Sequence, residues 1–304
     1  MEKNIFCRTD LAAEWKQEQT DLPEGVRFFE KSIDGRTVST LCVDTPQGAL
    51  LAGRAMGCYR TVEIGDSLHW GQGEEEGCVA LLSLLIRQAE EELIEKNSPE
   101  ATKEECVLVV GLGNRAMTAD AIGPLTVERI TVTNHVKNLD PPLFESLRHR
   151  AVAAVSPGVL GQTGIESALT VKQLVGALHP RLVIVVDALA ARSTARLCKT
   201  VQLSTGGIAP GSGVGNDRPA FTRESLGAPV LAIGVPMVVD SSTLVADALN
   251  QAGIDDLPPA LLSVLEEGKS FFVSPKEVDG AVESLAEILA RAIDGAMDLG
   301  GDLF

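Results

Sequence analysis

Short aliphatic runs alternate along the chain with longer stretches whose apolar positions recur at helical spacing. Residues 106–110 (CVLVV) are apolar without interruption and stop at Gly111, the pattern of a strand buried on both faces. Comparable runs occupy 151–155, 181–186, 201–203 and 229–235. Between and after them, 163–177, 242–251 and 275–297 read as helices. Residues 74–95 form an amphipathic helix with Val79, Leu82, Leu85, Ile86 and Leu93 on one face, ended by Asn97-Ser98-Pro99. Strands alternating with helices predict βαβ units, hence an α/β fold with a mostly parallel sheet flanked by helices. Upstream, TVSTLCV and ALLAGRAMGCYRTVEI are β-like and broken by Thr45-Pro46-Gln47-Gly48, which predicts an N-terminal β-rich elaboration. Residues 1–20 are polar, loose or lightly helical. No repeat, low-complexity tract or linker divides residues 1–304, so a single domain is expected.

Composition narrows the functions. Hydrophobic residues make up 45% of the chain, enough for a full core. The net charge of −16 argues against a phosphate-tracking surface, so no nucleic acid is expected as partner. The six cysteines form no CxxC pair and several sit in apolar runs, which suits buried thiols in a reducing compartment. The first residues lack a signal-peptide core, and no apolar run approaches the roughly 20 residues of a membrane span. A cytoplasmic protein with no membrane partner is expected.

The candidate chemistry lies at the strand ends, where open α/β sheets bind ligands. Asp120 follows the turn at Gly111 and Gly113, and Asn114 can bridge backbone groups there. Asp187 follows LVIVV, where an ionised group is expensive unless paired or solvated. Both could simply cap helices, since ALAARSTARL after Asp187 reads as one. If they meet, they cannot both ionise cheaply: one keeps a proton while the other stays charged. Such a pair can activate water and polarise an amide. The same geometry could hold a divalent metal. The loop at 206–218 (GGIAPGSGVGNDR) carries five glycines and, like 157–164, offers backbone amides to a carbonyl or an extended peptide, or merely connects elements. Asp240, after VPMVV, is a third acidic candidate or another cap. There is no phosphate-binding loop, H-E-x-x-H or G-x-S-x-G, GLGN is too short for a dinucleotide fingerprint, and the four histidines are isolated.

The segments RTDLAAE (8–14), VVGLGN and TADAIGP (109–124), SPGVLGQTGIES (156–167), VVDALAARS (185–193), TGGIAPGSGVGN (205–216), LGAPVLAIGVPMVVD (226–240) and VSPKEVD (273–279) together resemble the germination protease of spore-forming bacteria. The resemblance implies an α/β fold similar to hydrogenase maturation endopeptidases. It also implies an atypical aspartate-dependent endopeptidase, acting on small acid-soluble spore proteins in the forespore and spore core. Its two aspartates fall on Asp120 and Asp187, and no cofactor or metal is expected. In the hydrogenase maturation relatives the matching carboxylates bind metal, so a metal-binding maturation-type peptidase is one alternative. A non-catalytic relative binding peptides in the same cleft is another. The resemblance implies a homotetramer and a self-trimming zymogen whose sites place an acidic residue before a large apolar one, alanine and a further acid. Thr9-Asp10-Leu11-Ala12-Ala13-Glu14 fits, which puts processing between Asp10 and Leu11 and makes residues 1–10 a pro-segment. Gly113, Asn114, Gly211, Gly213, Arg192 and Asp240 are the candidate substrate contacts, with Arg115 and Arg218 as further cations for an acidic cleavage site. Arg115, Ala119 and Ala209 stand where the family commonly has tryptophan, proline and histidine.

Overall fold

The computed structural model describes residues 9–17, 19–95, 106–211, 218–254, 261 and 271–299. Its strands are β1 (Val26–Ile33), β2 (Arg36–Val43), β3 (Gly57–Glu63), β4 (Val107–Gly111), β5 (Val152–Val155), β6 (Leu182–Ala191), β7 (Thr200–Ser204), β8 (Val230–Asp240) and β9 (Phe272–Val273). They form one sheet in the order β1-β2-β3-β7-β8-β6-β4-β5, with β9 pairing off β8. The expected α/β architecture is present, and its parallel part is β8-β6-β4-β5. The N-terminal elaboration supplies the antiparallel half, joined to the rest through β7.

The parallel strands are aliphatic on both faces because both are covered. Val107, Val109, Ile184, Val186, Ile233 and Val235 pack with the long helices α3 (Gln72–Glu95) and α11 (Val278–Met297) and the short α4 (Ile122–Val127). On the other face Leu108, Val110, Val183 and Val185 meet Val171 and Val175 of α8 (Ser167–Leu178) and Leu226 of α9 (Arg223–Leu226). Each such aliphatic contributes about 1.5–3 kcal/mol by leaving water. The remaining helices are α1 (Ala12–Gln17), α2 (Pro46–Ala52), α5 (Asn134–Leu139), α6 (Pro141–Leu147), α7 (Leu160–Thr163) and α10 (Ser241–Gln251). No described helix is long and apolar enough to cross a membrane.

Three differences from the sequence reading have plain causes. First, β6 does not stop before Asp187: it runs to Ala191, because β8 keeps pairing with it through Ala191↔Val239, and this ladder overrides the helix propensity of the alanines. Second, residues 49–52, read as the start of a β-like run, belong to the helix α2, which begins in the break before them at Pro46. Thr45 accepts from Gly48 N–H at 3.0 Å and Pro46 occupies the first turn. Third, Cys42 and Cys58 stand directly opposite across β2 and β3 and are joined by a disulfide, where thiols were expected. Cys78, Cys106 and Cys198 are buried and free, as the apolar runs implied.

Candidate active site

Past Gly111 the chain leaves the sheet, and glycine is dictated by crowding. A Cβ at Gly111 would lie 2.2 Å from the Gly123 carbonyl oxygen. Gly113 has φ +113°, and a Cβ there would lie 2.0 Å from the carbonyl oxygen of Asp120. This contact folds residues 114–120 back as a loop closed by a 3₁₀ turn at Thr118–Asp120. The Asn114 N–H donates to Asp120 Oδ2 at 2.8 Å. Asn114 Oδ1 accepts from the Ala116 N–H and from Gln162 Nε2, at 3.0 and 2.7 Å, which ties the loop to α7. Asp120 therefore orients through its own loop and does not cap α4, whose N-cap is Ala121.

Asp187 sits in mid-strand, on the face of β6 shared by Val183 and Val185. It is only 5% exposed. Its Oδ1 accepts from the Ala188 N–H at 2.9 Å. Asp120 and Asp187 line one cavity of about 350 Å³, together with Gly113, Gly211, Arg218 and Asp10. Burial holds the Asp187 carboxyl well above the usual range, and the charges of Asp120 and Asp10 push it further, opposed by the Ala188 N–H and Arg218. Burial also raises Asp120, opposed by the Asn114 N–H and Arg218. The deeper acid, Asp187, is thus the one that keeps a proton, and the less buried Asp120 is the one that ionises first.

The other predicted residues fall into distinct places. Gly113 and Gly211 are in the cavity wall, and Asn114 acts behind it through Asp120. Gly213 lies outside the described residues. Asp240 is buried and caps α10, accepting from the N–H groups of Ser242 and Thr243 at 3.0 and 3.2 Å; it is not in the cavity wall. Arg192 is also outside that wall: its N–H donates to Glu14 Oε2 at 2.8 Å and its guanidinium reaches Gln17. Arg115 pairs with Glu128 at the surface, at 2.8 Å, whereas Arg218 lines the cavity. No group of three or more His, Cys, Asp or Glu that could hold a metal converges among the described residues.

The segment around Asp10 and Leu11 is docked beside the pair. Asp10 N–H donates to the Ala190 carbonyl at 2.9 Å, and the Ala190 N–H returns a bond to Asp10 Oδ2 at 2.8 Å. Leu11 is fully buried against Leu189, Ala191, Leu197 and Val239. Glu14, also fully buried, accepts from the N–H groups of Arg192 and Ser193 and faces Arg196 at 3.6 Å. Two residues that the sequence did not single out hold the Asp10 carbonyl: Arg54 Nη1 at 2.9 Å and Gln202 Nε2 at 3.0 Å. Arg54 lies in a GRAMG turn and Gln202 within a strand, and neither carries a motif.

An α/β sheet presenting a buried aspartate and a half-buried one over a single cavity defines a candidate acid–base hydrolytic site. Comparison with known proteins supplies the particular family. The profile of the germination protease family, peptidase A25, matches residues 4–252. Germination protease of Clostridium perfringens (strain ATCC 13124) is 36% identical, covering 95% of this chain and 94% of its own. That of Oceanobacillus iheyensis is 37% identical (95% and 94%), and that of Bacillus subtilis (strain 168) 33% (96% and 93%). The chain belongs to the germination protease family, and is a peptidase by that membership. Among solved structures, a [NiFe] hydrogenase maturation protease HycI from Thermococcus kodakarensis KOD1 aligns at 17% identity with a TM-score of 0.33, covering 64% of this chain and 94% of that one.

Proposed function

We infer that the chain is an endopeptidase of spore germination that cuts small acid-soluble spore proteins with Asp120 and Asp187, after trimming its own N-terminus between Asp10 and Leu11. The observation that carries this reading is the shared cavity of two aspartates whose burial differs enough to separate their protonation states. Ionised Asp120 takes a proton from water as its oxygen bonds to the amide carbon. Protonated Asp187 gives its proton to the carbonyl oxygen, which the tetrahedral intermediate holds as hydroxyl. On collapse the C–N bond breaks and the amine leaves with the proton that Asp120 gained. The hydroxyl proton returns to Asp187, so both acids end as they began. The docking of Asp10 in the same cavity supports self-processing, since the chain's own acid-Leu-Ala-Ala-acid segment already lies at the site.

The test is cleavage of a peptide containing Thr-Asp-Leu-Ala-Ala-Glu by wild type, Asp120→Asn and Asp187→Asn, with and without chelator, followed by mass spectrometry of the enzyme's N-terminus. Loss in both variants, indifference to chelator and release of residues 1–10 are expected. A folded variant that keeps most of its activity overturns the catalytic assignment, and activity lost to chelator favours the metal alternative. An intact N-terminus in the active enzyme removes self-processing. The same reading takes the protein as a tetramer of the spore core, which sedimentation and fractionation of spores test.

A further inference from the structure

The amide between Asp10 and Leu11 is held at both of its polar atoms. Its carbonyl oxygen, that of Asp10, accepts from Arg54 Nη1 at 2.9 Å and from Gln202 Nε2 at 3.0 Å. Its N–H, that of Leu11, donates to Thr9 Oγ1 at 3.0 Å. Gln202 also spans the bond, because its Oε1 accepts from the Ala12 N–H at 2.7 Å. An N–H on one side and a carbonyl on the other leave this side-chain amide a single orientation, with its NH₂ group aimed at the Asp10 oxygen. The second donor is equally constrained. Arg54 follows Gly53, the left-handed cap of α2, and its guanidinium lies over the Tyr59 ring, 5.6 Å from the centroid. The Tyr59 hydroxyl donates to the Ala55 carbonyl at 2.8 Å, which fixes the ring in turn.

Two side-chain donors on one carbonyl are more than anchoring needs. The segment is already fastened by the two bonds between Asp10 and Ala190 and by the burial of Leu11 and Glu14. The donors come from separate elements, the turn between α2 and β3 and the buried face of β7, and the arginine is permanently charged. Asp10 lines two cavities: one carries Asp120 and Asp187, and the other, of about 170 Å³, carries Arg54 and Gln202. The residue whose carbonyl would be attacked therefore touches both sets of groups. When water adds to that carbon, the oxygen gains negative charge and a third lone pair. Donors that the fold has fixed beforehand stabilise this charged oxygen more than the neutral carbonyl, and so lower the barrier. They carry the charge until the proton of Asp187 arrives.

We propose that Arg54 and Gln202 are catalytic residues, the pair of donors that holds the carbonyl oxygen of the cut bond as it becomes an oxyanion. The proposal rests on the peptidase reading above and asks nothing of the side chain before the bond. The full chain is tested as wild type, Arg54→Met and Gln202→Glu. The last variant keeps an acceptor for the Ala12 N–H and replaces only the donor. Both variants are expected to lose about 10²–10³-fold in the rate of trimming and in kcat on a peptide containing Thr-Asp-Leu-Ala-Ala-Glu. The second readout is binding of two uncleavable forms of that peptide, with the Asp–Leu amide replaced by –CHOH–CH₂– or by –CH₂–CH₂–. Wild type is expected to bind the hydroxyl form about 100-fold more tightly, and each variant to lose about tenfold or more of that preference. Both peptides compete with the same docked segment, so their ratio does not depend on whether it has been shed. A folded Gln202→Glu protein with near-normal kcat overturns the proposal, as does a wild type without the hydroxyl preference or a folded variant that keeps it whole. Should Arg54→Met fail to fold, Gln202→Glu decides alone. Wild type that cuts neither the peptide nor its own N-terminus overturns the peptidase reading itself, whereas cleavage that both variants match overturns only the oxyanion assignment.

Discussion

Two buried acids sit along β6, one beside its start and one in mid-strand, and they are handled in opposite ways. Glu90 of α3, 2% exposed, meets Arg150 and, at 3.2 Å, Arg181 at the start of the strand. Asp187, 5% exposed, meets the N–H of its own neighbour and a second acid's charge, with Arg218 as the weakest influence on it. Glu90 is neutralised by position and fastens a helix to the sheet. Asp187 is left to be neutralised by a proton, which it can give away. Burial alone therefore does not single out a candidate reactive acid; burial beside another acid does.

Substitutions can break this contrast. The largest effect is expected on rate: Asp187→Asn or Asp120→Asn lowers kcat for peptide cleavage by about 10²–10⁴-fold with the circular dichroism spectrum unchanged. Glu90→Gln leaves the rate per folded molecule near wild type. Next comes stability. Glu90→Ala strands Arg150 and Arg181 and costs about 3–5 kcal/mol in denaturant unfolding, while Asp187→Asn costs nothing comparable. Third, Gly113→Ala forces a side chain into the Asp120 carbonyl and moves that carboxylate, with an expected fall of about 100-fold in kcat/KM. A near-normal rate would mean that the loop position does not matter.

The smallest effect sharpens the comparison through pH. The folded-state pKa of Asp187 lies above its unfolded value of about 3.9, so the native state binds more protons between the two. Stability then falls as pH rises through that window, and the loss is complete above the folded pKa. Asp187→Asn removes this slope, so its melting temperature relative to wild type should climb as pH rises above the unfolded value of about 3.9. A difference that stays flat would show that the buried acid is not held protonated.

Much of this was legible in the chain. The strands β4, β6 and β8 were readable because both faces are covered, which makes them solid aliphatic runs, as in Val183–Val186. Asp120 and Asp187 stood out because a carboxylate beside such a run needs a reason. Strand length was misjudged at β6, where Ala188–Ala191 read locally as helix and only the ladder to β8 says otherwise. β1 was missed because VRFFEKSI lies at the sheet edge with most side chains exposed, so no periodic burial betrays it. α2 carried a signal, Thr45 before Pro46, that the apolar residues after it masked. Arg54 and Gln202 could not be found this way, because their roles depend on where residues 9–14 dock, a contact between segments far apart in sequence.

The anchoring of Leu11 and Glu14 has one more consequence. A cut before Leu11 would create an α-ammonium that cannot drift away, because the side chains behind it are already seated. In one event the neighbourhood of Asp187 would exchange a departing negative charge for a fixed positive one. If residues 1–10 are trimmed as proposed, the acid limb and the alkaline limb of the rate profile should both migrate toward lower pH.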